Sequence, residues 1–429
     1  MNLHPAVLPH PITQERTVSE ASTDTTTAAT EVPDYPMPRS AGCPFAPPPE
    51  ALRLGRGKPL NRVRIWDGST PWLVTGYAEF KTLMSDPRVS VDDHRPGFPH
   101  WNEGMAAIVD SRPKSLFTTD GEEHSRYRRM LTKPFTFKRV EALRPVIQQI
   151  TDEHIDRLLA GPQPADLVEA LALPVPTLMI SEMLGVPYED HEFFQKHATV
   201  NVDRYATKEQ AAEGRAGLAR YLVDLVKKKL ESPAEDVVSD IAERVRAGEI
   251  DMKEAAQLGT GLLIAGHETS ANMISLGALA LMRNLDQFAL LRDTDDPKIV
   301  VSAVEELLRY LSIIQNGQRR VAIGDIEIAG ETVRAGDGLI FDLAPANWDE
   351  KAWEQPDRLD LRRAAGQHLG FGFGPHQCVG QQLARAELQI VFRTLVRRVP
   401  TLRLAIPFEE VQFKHDRLAY GLYELPVSW

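Results

Sequence analysis

The sequence is short of cysteine, of excess positive charge and of long apolar runs. Its 429 residues include two cysteines, Cys43 and Cys378, too few for a disulfide framework or for a four-thiolate zinc or iron–sulfur site. Lysine and arginine number 49 against 60 acidic residues, and this net charge of −11 disfavours general nucleic-acid binding, although a local basic patch stays open. We therefore expect a globular protein of a reducing, cytoplasmic compartment, with no nucleic-acid partner.

The most apolar stretch, residues 255–282, is the one segment that could suggest a membrane span. It carries a single formal charge, Glu268, but it also holds Gln, Thr, His, Ser and Asn residues, which are costly in lipid. The first residues, MNLHPAVLPHPITQER, lack the basic start and apolar run of a signal peptide. We predict a buried helix at 255–282 and no membrane association.

The order of the elements predicts a mainly α protein with a small β part. Residues 1–40 are rich in Thr, Ser, Ala and Pro and are predicted to be a disordered tail, with a single domain over 41–429. Asp120 is a candidate N-cap for a helix that contains GEEHSRYRRM. Further helices are predicted at about 77–86, 138–160, 174–184, 189–203, 207–231, 234–247, 251–284, 297–310 and 379–398. Strands are predicted within 63–66, 71–76, 319–333 and 337–344.

The segment FGFGPHQCVG, residues 371–380, carries the strongest chemical signal. Cys378 lies between glycines just before an amphipathic helix, where the helix dipole and local N–H groups favour the thiolate. Such a thiolate suits one face of a metal macrocycle better than a zinc site, which needs about four protein ligands. The alternative is a buried cysteine in a glycine turn, the commoner fate of a free cysteine.

The pattern of Phe371, Gly372, Gly374, His376, Cys378 and Gly380 resembles the haem-thiolate loop of the cytochrome P450 family. The resemblance implies the P450 fold, with haem b between a long central helix and the helix that follows the cysteine loop. It implies Cys378 as the iron ligand, with Phe371, Gly372 and Gly380 at the cofactor.

Two more motifs resemble those of the same family. In EELLRYL, Glu306 and Arg309 lie three residues apart on one helical face, and with Arg358 they resemble the Glu–Arg–Arg network that braces the haem region. The segment AGHETS, residues 265–270, resembles the oxygen-activation segment. There Ala265 would lie at the cofactor, and Gly266, Glu268 and Thr269 would be the catalytic residues: Gly266 leaves room for O2, Thr269 hydrogen-bonds oxygen or water, and Glu268 links that network to solvent protons. The alternatives are a Thr269 that bonds only to its own helix and a Glu268 in a structural ion pair.

The haem propionates need cationic or N–H partners. The resemblance supplies His124 and Arg128, four residues apart in one helix, together with Arg320 and His376; His368, just before the cysteine loop, is a further candidate. Trp348 stands where the family usually has an arginine, and we expect a surface effect only.

The implied activity is monooxygenation of a bulky apolar small molecule with O2. Since no flavin or nicotinamide fingerprint is present, electrons from NAD(P)H are expected through a ferredoxin and its reductase, with the enzyme a monomer. Candidate docking cations are Arg126, Lys133, Arg362 and Arg385. Candidate pocket residues are Trp101, Met179, Ile264, Ile313 and Ile314. Phenol coupling, peroxide-driven oxidation and a non-catalytic haem carrier remain alternatives.

Overall fold

Helices carry most of the computed structural model, which describes residues 32–111, 114–190, 193, 197, 200 and 207–429. The helices are α1 (Pro49–Gly57), α2 (Tyr77–Met84), α3 (Glu103–Ala107), α4 (Gly121–Thr132), α5 (Phe137–Ala160), α6 (Pro174–Leu184), α7 (Lys208–Glu231), α8 (Val237–Arg246), α9 (Met252–Arg283), α10 (Leu285–Asp293), α11 (Pro297–Leu311), α12 (Leu343–Asn347) and α13 (Gln381–Arg398). A mainly α fold is confirmed. The helix predicted at 189–203 falls largely outside the described residues.

The strands are short and form small sheets. They are β1 (Leu60–Arg62), β2 (Trp72–Val74), β3 (Val89–Ser90), β4 (Ala165–Asp166), β5 (Gln318–Ala322), β6 (Ile326–Ile328), β7 (Glu331–Val333), β8 (Gly338–Phe341), β9 (Arg403–Leu404) and β10 (Pro426–Ser428). The largest sheet has the order β1-β2-β8-β5-β3, so it joins N-terminal strands to strands that lie more than 200 residues later. In it β2 runs parallel to β8, and β5 runs antiparallel to β8.

Helix α9 is the long central helix that the sequence predicts at 251–284. Its start is fixed by a capping box, in which Asp251 accepts from the N–H of Glu254 and the Glu254 side chain accepts from the N–H of Asp251. Its 32 residues extend over about 48 Å. It packs against α6, α7, α13 and other helices, which explains why it is apolar on nearly all sides. No helix among the described residues combines the length and the apolar character that crossing a membrane requires.

The folded unit begins before residue 41, so the predicted tail is too long at its C-terminal end. Tyr35 and Met37 are buried, and the Tyr35 hydroxyl donates to the Asp342 carboxylate at 3.0 Å. The backbone N–H of Tyr35 also donates to the carbonyl of Arg64. The segment is therefore held by two buried side chains and by backbone hydrogen bonds, which composition alone does not reveal. The rest of the predicted tail, residues 1–31, lies outside the described residues.

Candidate active site

A cavity of about 460 Å³ lies between the middle of α9 and the start of α13. Its wall joins segments that are far apart in the chain, from Trp101 to Ala419. Of the residues predicted at a site, the lining includes Trp101, His124, Arg128, Ile264, Ala265, Gly266, Glu268, Thr269, Ile313, Ile314, Arg320, Phe371, His376, Cys378 and Gly380. The fold therefore brings three separate sequence motifs to one chamber.

The cysteine loop turns so that the Cys378 side chain is accessible from the cavity. Two glycines allow the turn: Gly372 and Gly374 have φ of +71° and +74°, and a Cβ at Gly374 would lie 2.4 Å from the carbonyl oxygen of Met84. The N–H of Cys378 donates to the Phe371 carbonyl at 2.9 Å, which ties the thiol to the start of the loop.

Burial raises the pKa of the Cys378 thiol, and several neighbours oppose that effect. The N–H of Gly380, the charges of Arg128 and Arg385, and the N–H of Gln381 all favour the thiolate. Gly380 is not required by the protein packing, because a Cβ there would meet its nearest atoms at 3.8 and 4.0 Å, which is ordinary contact. Its open side faces the cavity.

The buried ion-pair network around Glu306 contains a different second arginine from the one that the sequence predicted. Arg309 makes a two-pronged ion pair with Glu306, at 2.7 and 2.9 Å, and both side chains are fully buried. The second arginine is Arg363, whose Nε lies 3.1 Å from Glu306, and not Arg358, which is exposed. The assignment of Arg358 was wrong because the loop after residue 350 folds back on itself, and sequence spacing does not fix such a loop.

The AGHETS segment faces the cavity from α9. Gly266 packs against Ile180, because a Cβ at Gly266 would lie 2.8 Å from the Ile180 Cδ1. The Thr269 hydroxyl donates to the Ala265 carbonyl at 2.6 Å, so in this structure the local helix bond is made. Both Ala265 and Thr269 line the cavity, which leaves the threonine hydroxyl close to whatever occupies it.

Glu268 is buried and has a cation beside it that sequence reasoning did not find. Burial raises the pKa of Glu268, while Lys414, 3.6 Å away, and Arg417 lower it. Lys414 also donates to the Asn272 side chain at 3.0 Å. Lys414 follows a region of weak periodicity, 146 positions beyond Glu268, so its role was visible only once the chain was folded.

Four cationic or imidazole side chains surround one end of the cavity: His124, Arg128, Arg320 and His376. The rings of His124 and His376 lie 4.0 Å apart, and His124 Nε2 is buried with no hydrogen-bond partner in the described part of the chain. Burial, helped by His376 and Arg128, lowers the pKa of His124 to about 4. Burial also lowers the pKa of Arg320 to about 10. Such underpaired donors fit an anionic group at this position.

Asp120 occupies the N-cap position of α4, but its carboxylate serves another purpose. It accepts from the Ser90 hydroxyl at 2.5 Å and lies 3.6 Å from His376 Nε2. These contacts lower its pKa to about 2 despite its partial burial. Asp120 therefore holds His376 in place beside the cavity.

Two expectations about side-chain position were wrong. Met179 is fully buried in the core with its side chain away from the cavity, whereas its neighbour Ile180 lines it. Trp348 is 7% exposed, donates to the Tyr310 carbonyl at 3.0 Å and stacks on the Tyr310 ring, so it is a packing residue and not a surface one. Sequence reasoning also missed Phe117 at the cavity wall, because 110–120 has no regular period.

Comparison with known proteins agrees with this geometry. The family model described as Cytochrome P450 matches residues 204–402. Cytochrome P450 CYP105Q4 of Mycobacterium marinum is 69% identical over 402 residues, which cover 94% of this chain and 97% of its own. The chain belongs to the cytochrome P450 family.

Two solved P450 structures show how closely the fold is shared. GfsF of Streptomyces halstedii is 54% identical, and its crystal structure gives a TM-score of 0.88 over 93% of this chain and 100% of its own. MycCI of Micromonospora griseorubida, described as a mycinamicin VIII C21 methyl hydroxylase and solved with mycinamicin VIII, is 38% identical, with a TM-score of 0.85 over 93% and 100% of the two chains.

As a cytochrome P450 this protein is a monooxygenase that uses haem iron and O2, with electrons supplied by redox partners. The residues present fit the cofactor: a thiol opens into the cavity, and the buried, unpartnered His124 Nε2 lies beside arginines able to pair with propionates.

Proposed function

We propose that Cys378 is the haem ligand and that the enzyme hydroxylates a bulky, mainly apolar small molecule. The observation that carries this proposal is convergence: the Cys378 thiol, the underpaired cations and the Gly266–Thr269 segment line one cavity of about 460 Å³. When bound, haem supplies O2 activation and transfer of one oxygen atom to the substrate. The protein holds the cofactor, places the substrate, excludes water and moves protons.

The propionate end of the cofactor would be held by Arg128, Arg320, His124 and His376. Arg128 already donates to the Gln377 carbonyl at 2.6 Å, so this arginine is fixed against the cysteine loop. His376 is oriented by Asp120. A charge-assisted partner for the free His124 Nε2 would satisfy the one buried imidazole nitrogen of this set that lacks a hydrogen bond among the described residues.

Proton supply would run from Lys414 and Glu268 to the Thr269 hydroxyl. Burial favours the protonated form of Glu268 and the nearby Lys414 favours the ionised form, so this carboxyl can both hold and release a proton. To act at the cavity, Thr269 Oγ1 must exchange its bond to the Ala265 carbonyl for one to an adjacent donor or acceptor. Thr269 and Glu268 are the proposed catalytic residues.

The substrate would lie against the apolar part of the cavity wall. Trp101, Phe117, Ile180, Ile264 and Ile313 form this wall. This apolar lining suits a large, mostly non-polar molecule such as a macrolide. The related protein MycCI is described as hydroxylating mycinamicin VIII. The apolar wall supports hydroxylation of such a molecule, since it provides orientation without many fixed polar contacts.

The electron donor is proposed to be a ferredoxin, which is acidic, docked near the cysteine loop. Arg362 is exposed, and the Lys133 side chain is 71% exposed although it pairs with Asp240 at 2.9 Å. Arg126 is less exposed, at 36%, and pairs with Glu254 at 2.9 Å. Arg385 does not fit the docking set, because its Nε and Nη2 both donate to the Glu305 carboxylate. Charge reversal at Lys133 and Arg362 should slow reduction by ferredoxin at low salt, with the effect lost at high salt.

The test begins with the spectrum of the reduced, carbon-monoxide-bound protein. Thiolate ligation gives a red-shifted Soret band, so Cys378→Ser should lose it while Cys43→Ser, which removes the other cysteine, should keep it. A ligand screen for spin-state shifts with macrolides and similar molecules should then be followed by product analysis with a surrogate ferredoxin system. A Cys378→Ser protein with the full band would refute the ligand assignment, and NADPH use without oxygenated product would refute hydroxylation.

A further inference from the structure

A second, largely buried ion cluster lies beside the Glu306 network and contacts the cysteine loop. Glu305 accepts from Arg385 Nε at 2.7 Å and Nη2 at 3.0 Å, and His368 Nε2 lies 3.1 Å from the same carboxylate. The N–H of Gly370 donates to His368 Nδ1 at 2.9 Å, which leaves Nε2 as the nitrogen that carries the proton and donates to Glu305. Glu305 therefore binds both Arg385 and His368 and fixes their positions.

Arg385 contacts the cysteine loop at both of its ends. Its Cζ lies 4.5 Å from the centroid of the Phe371 ring, at the start of the loop. Its Nη1 donates to the Gln381 side chain at 2.8 Å, at the first residue of α13. His368 also packs against Phe371, with ring centroids 5.6 Å apart.

The two ends of the loop hold the Cys378 backbone and sulfur in position. The Phe371 carbonyl accepts the Cys378 N–H, and the Gln381 N–H is one of the groups directed at the sulfur. A side chain that fixes both Phe371 and Gln381 therefore fixes the position of the sulfur between them. The guanidinium also places a permanent positive charge close to Cys378.

We propose that Arg385, clamped by Glu305 and His368, is a positioning residue that holds the cysteine loop in the geometry for thiolate ligation. It acts through Phe371 and Gln381 and does not itself touch the substrate. The inference rests on the proposed assignment of Cys378 as the haem ligand. It also explains why Arg385, although near the loop surface, is not available as a docking cation.

The test compares Arg385→Gln and Arg385→Lys in the holoenzyme with Arg398→Gln. Arg398 is a matched control, since it lies in the same helix and pairs with Asp152 and Asp156, but at the opposite end, about 20 Å from Arg385 along the axis. Two readouts are measured: the rate at which the reduced carbon monoxide complex loses its red-shifted Soret band in mild urea, and the midpoint potential of the iron.

Arg385→Gln should lose the band about tenfold faster or more, because the contacts of the guanidinium with Phe371 and Gln381 and its ion pair with Glu305 are all removed. Its midpoint potential should fall, because a positive charge near the iron favours the reduced state. Arg385→Lys keeps the charge but not the two-pronged contact, so its band should be lost at an intermediate rate with a potential close to that of the wild type. Arg398→Gln should match the wild type in both.

An Arg385→Gln protein with wild-type band stability and potential would overturn the inference, even if ferredoxin reduced it more slowly. If that variant fails to fold, Arg385→Lys decides: faster loss of the band supports positioning, and an unchanged rate overturns it. Failure of the ligand assignment is separate, since it would show as a red-shifted band retained in Cys378→Ser.

Discussion

The buried Glu306 network allows a quantitative test of which arginines hold this fold together. Arg309 and Glu306 are both fully buried, and Arg309 also donates to the carbonyls of Asn347 and Pro356, each at 2.9 Å. Arg309→Met would leave Glu306 with Arg363 and one backbone N–H, so one buried carboxylate loses its principal partner. Breaking a buried pair in this way costs about 3–5 kcal/mol.

Arg363 and Arg358 give graded comparisons. Arg363 is 14% exposed and shares Glu306 through one ion pair, so Arg363→Met should cost about 1.5–3 kcal/mol. Arg358 is exposed and outside the network, so Arg358→Met should change stability by at most about 0.5 kcal/mol. The same replacement by methionine, an uncharged side chain of similar length, therefore predicts a clear order of stability losses at the three positions.

The assay is guanidinium unfolding of each holoenzyme, followed by far-UV circular dichroism, with the slope of the transition checked for constancy. The midpoint should fall most for Arg309→Met, less for Arg363→Met and hardly at all for Arg358→Met. Equal losses for Arg358→Met and Arg363→Met would contradict the assignment of the second arginine. A normal midpoint for Arg309→Met would contradict the argument from burial.

Three further predictions follow from the site. Thr269→Ala should keep consuming NADPH with a surrogate donor while product falls about 10²-fold, and full product yield would contradict its role in proton supply. Met179→Ala should cost about 2–5 kcal/mol of stability without changing the dissociation constant of a spin-shifting ligand, whereas Ile180→Ala should weaken that ligand; the reverse pattern would contradict the assigned positions. Burial raises the pKa of Glu387, which accepts from Ser270, to about 7. Because its folded pKa is raised, stability is lost as pH rises from about 4.5 through 7, and Glu387→Gln should flatten that loss in unfolding measured across this range.

The sequence predicted most of the long helices, the cavity-facing motifs and the family, because each depends on local pattern, but it missed the short helices α1, α3, α10 and α12. Helix α9 is within one residue of its expected bounds at either end. The strand predicted at 63–66 is β1 at Leu60–Arg62 instead. Other errors concern contacts made by irregular chain: Arg363 replaced Arg358, and Lys414 went unnoticed beside Glu268. Periodicity says which face of a helix is buried, but not which side chain of a distant loop returns to meet it.

Met179 and Trp348 show a second limit of sequence reasoning. Adjacent positions of α6 point in directions about 100° apart, so an error of one residue exchanges a core side chain for a cavity one. Trp348 was assigned to the surface because an arginine is usual there. In the fold this position is buried beside Tyr310. The Trp348 indole stacks on the Tyr310 ring, and its N–H donates to the Tyr310 carbonyl.

Glu305 and Glu306 are neighbours in α11, yet each serves a different network, one at the cysteine loop and one at the loop after residue 350. The two side chains point in directions about 100° apart because of the helical turn, and neither loop sets that angle. A single-residue insertion or deletion upstream in α11 would therefore misdirect both carboxylates together. The exposed face of α11, which includes Val301, should accept many replacements. Across homologous chains, this helix should vary in composition on that face while its length stays constant.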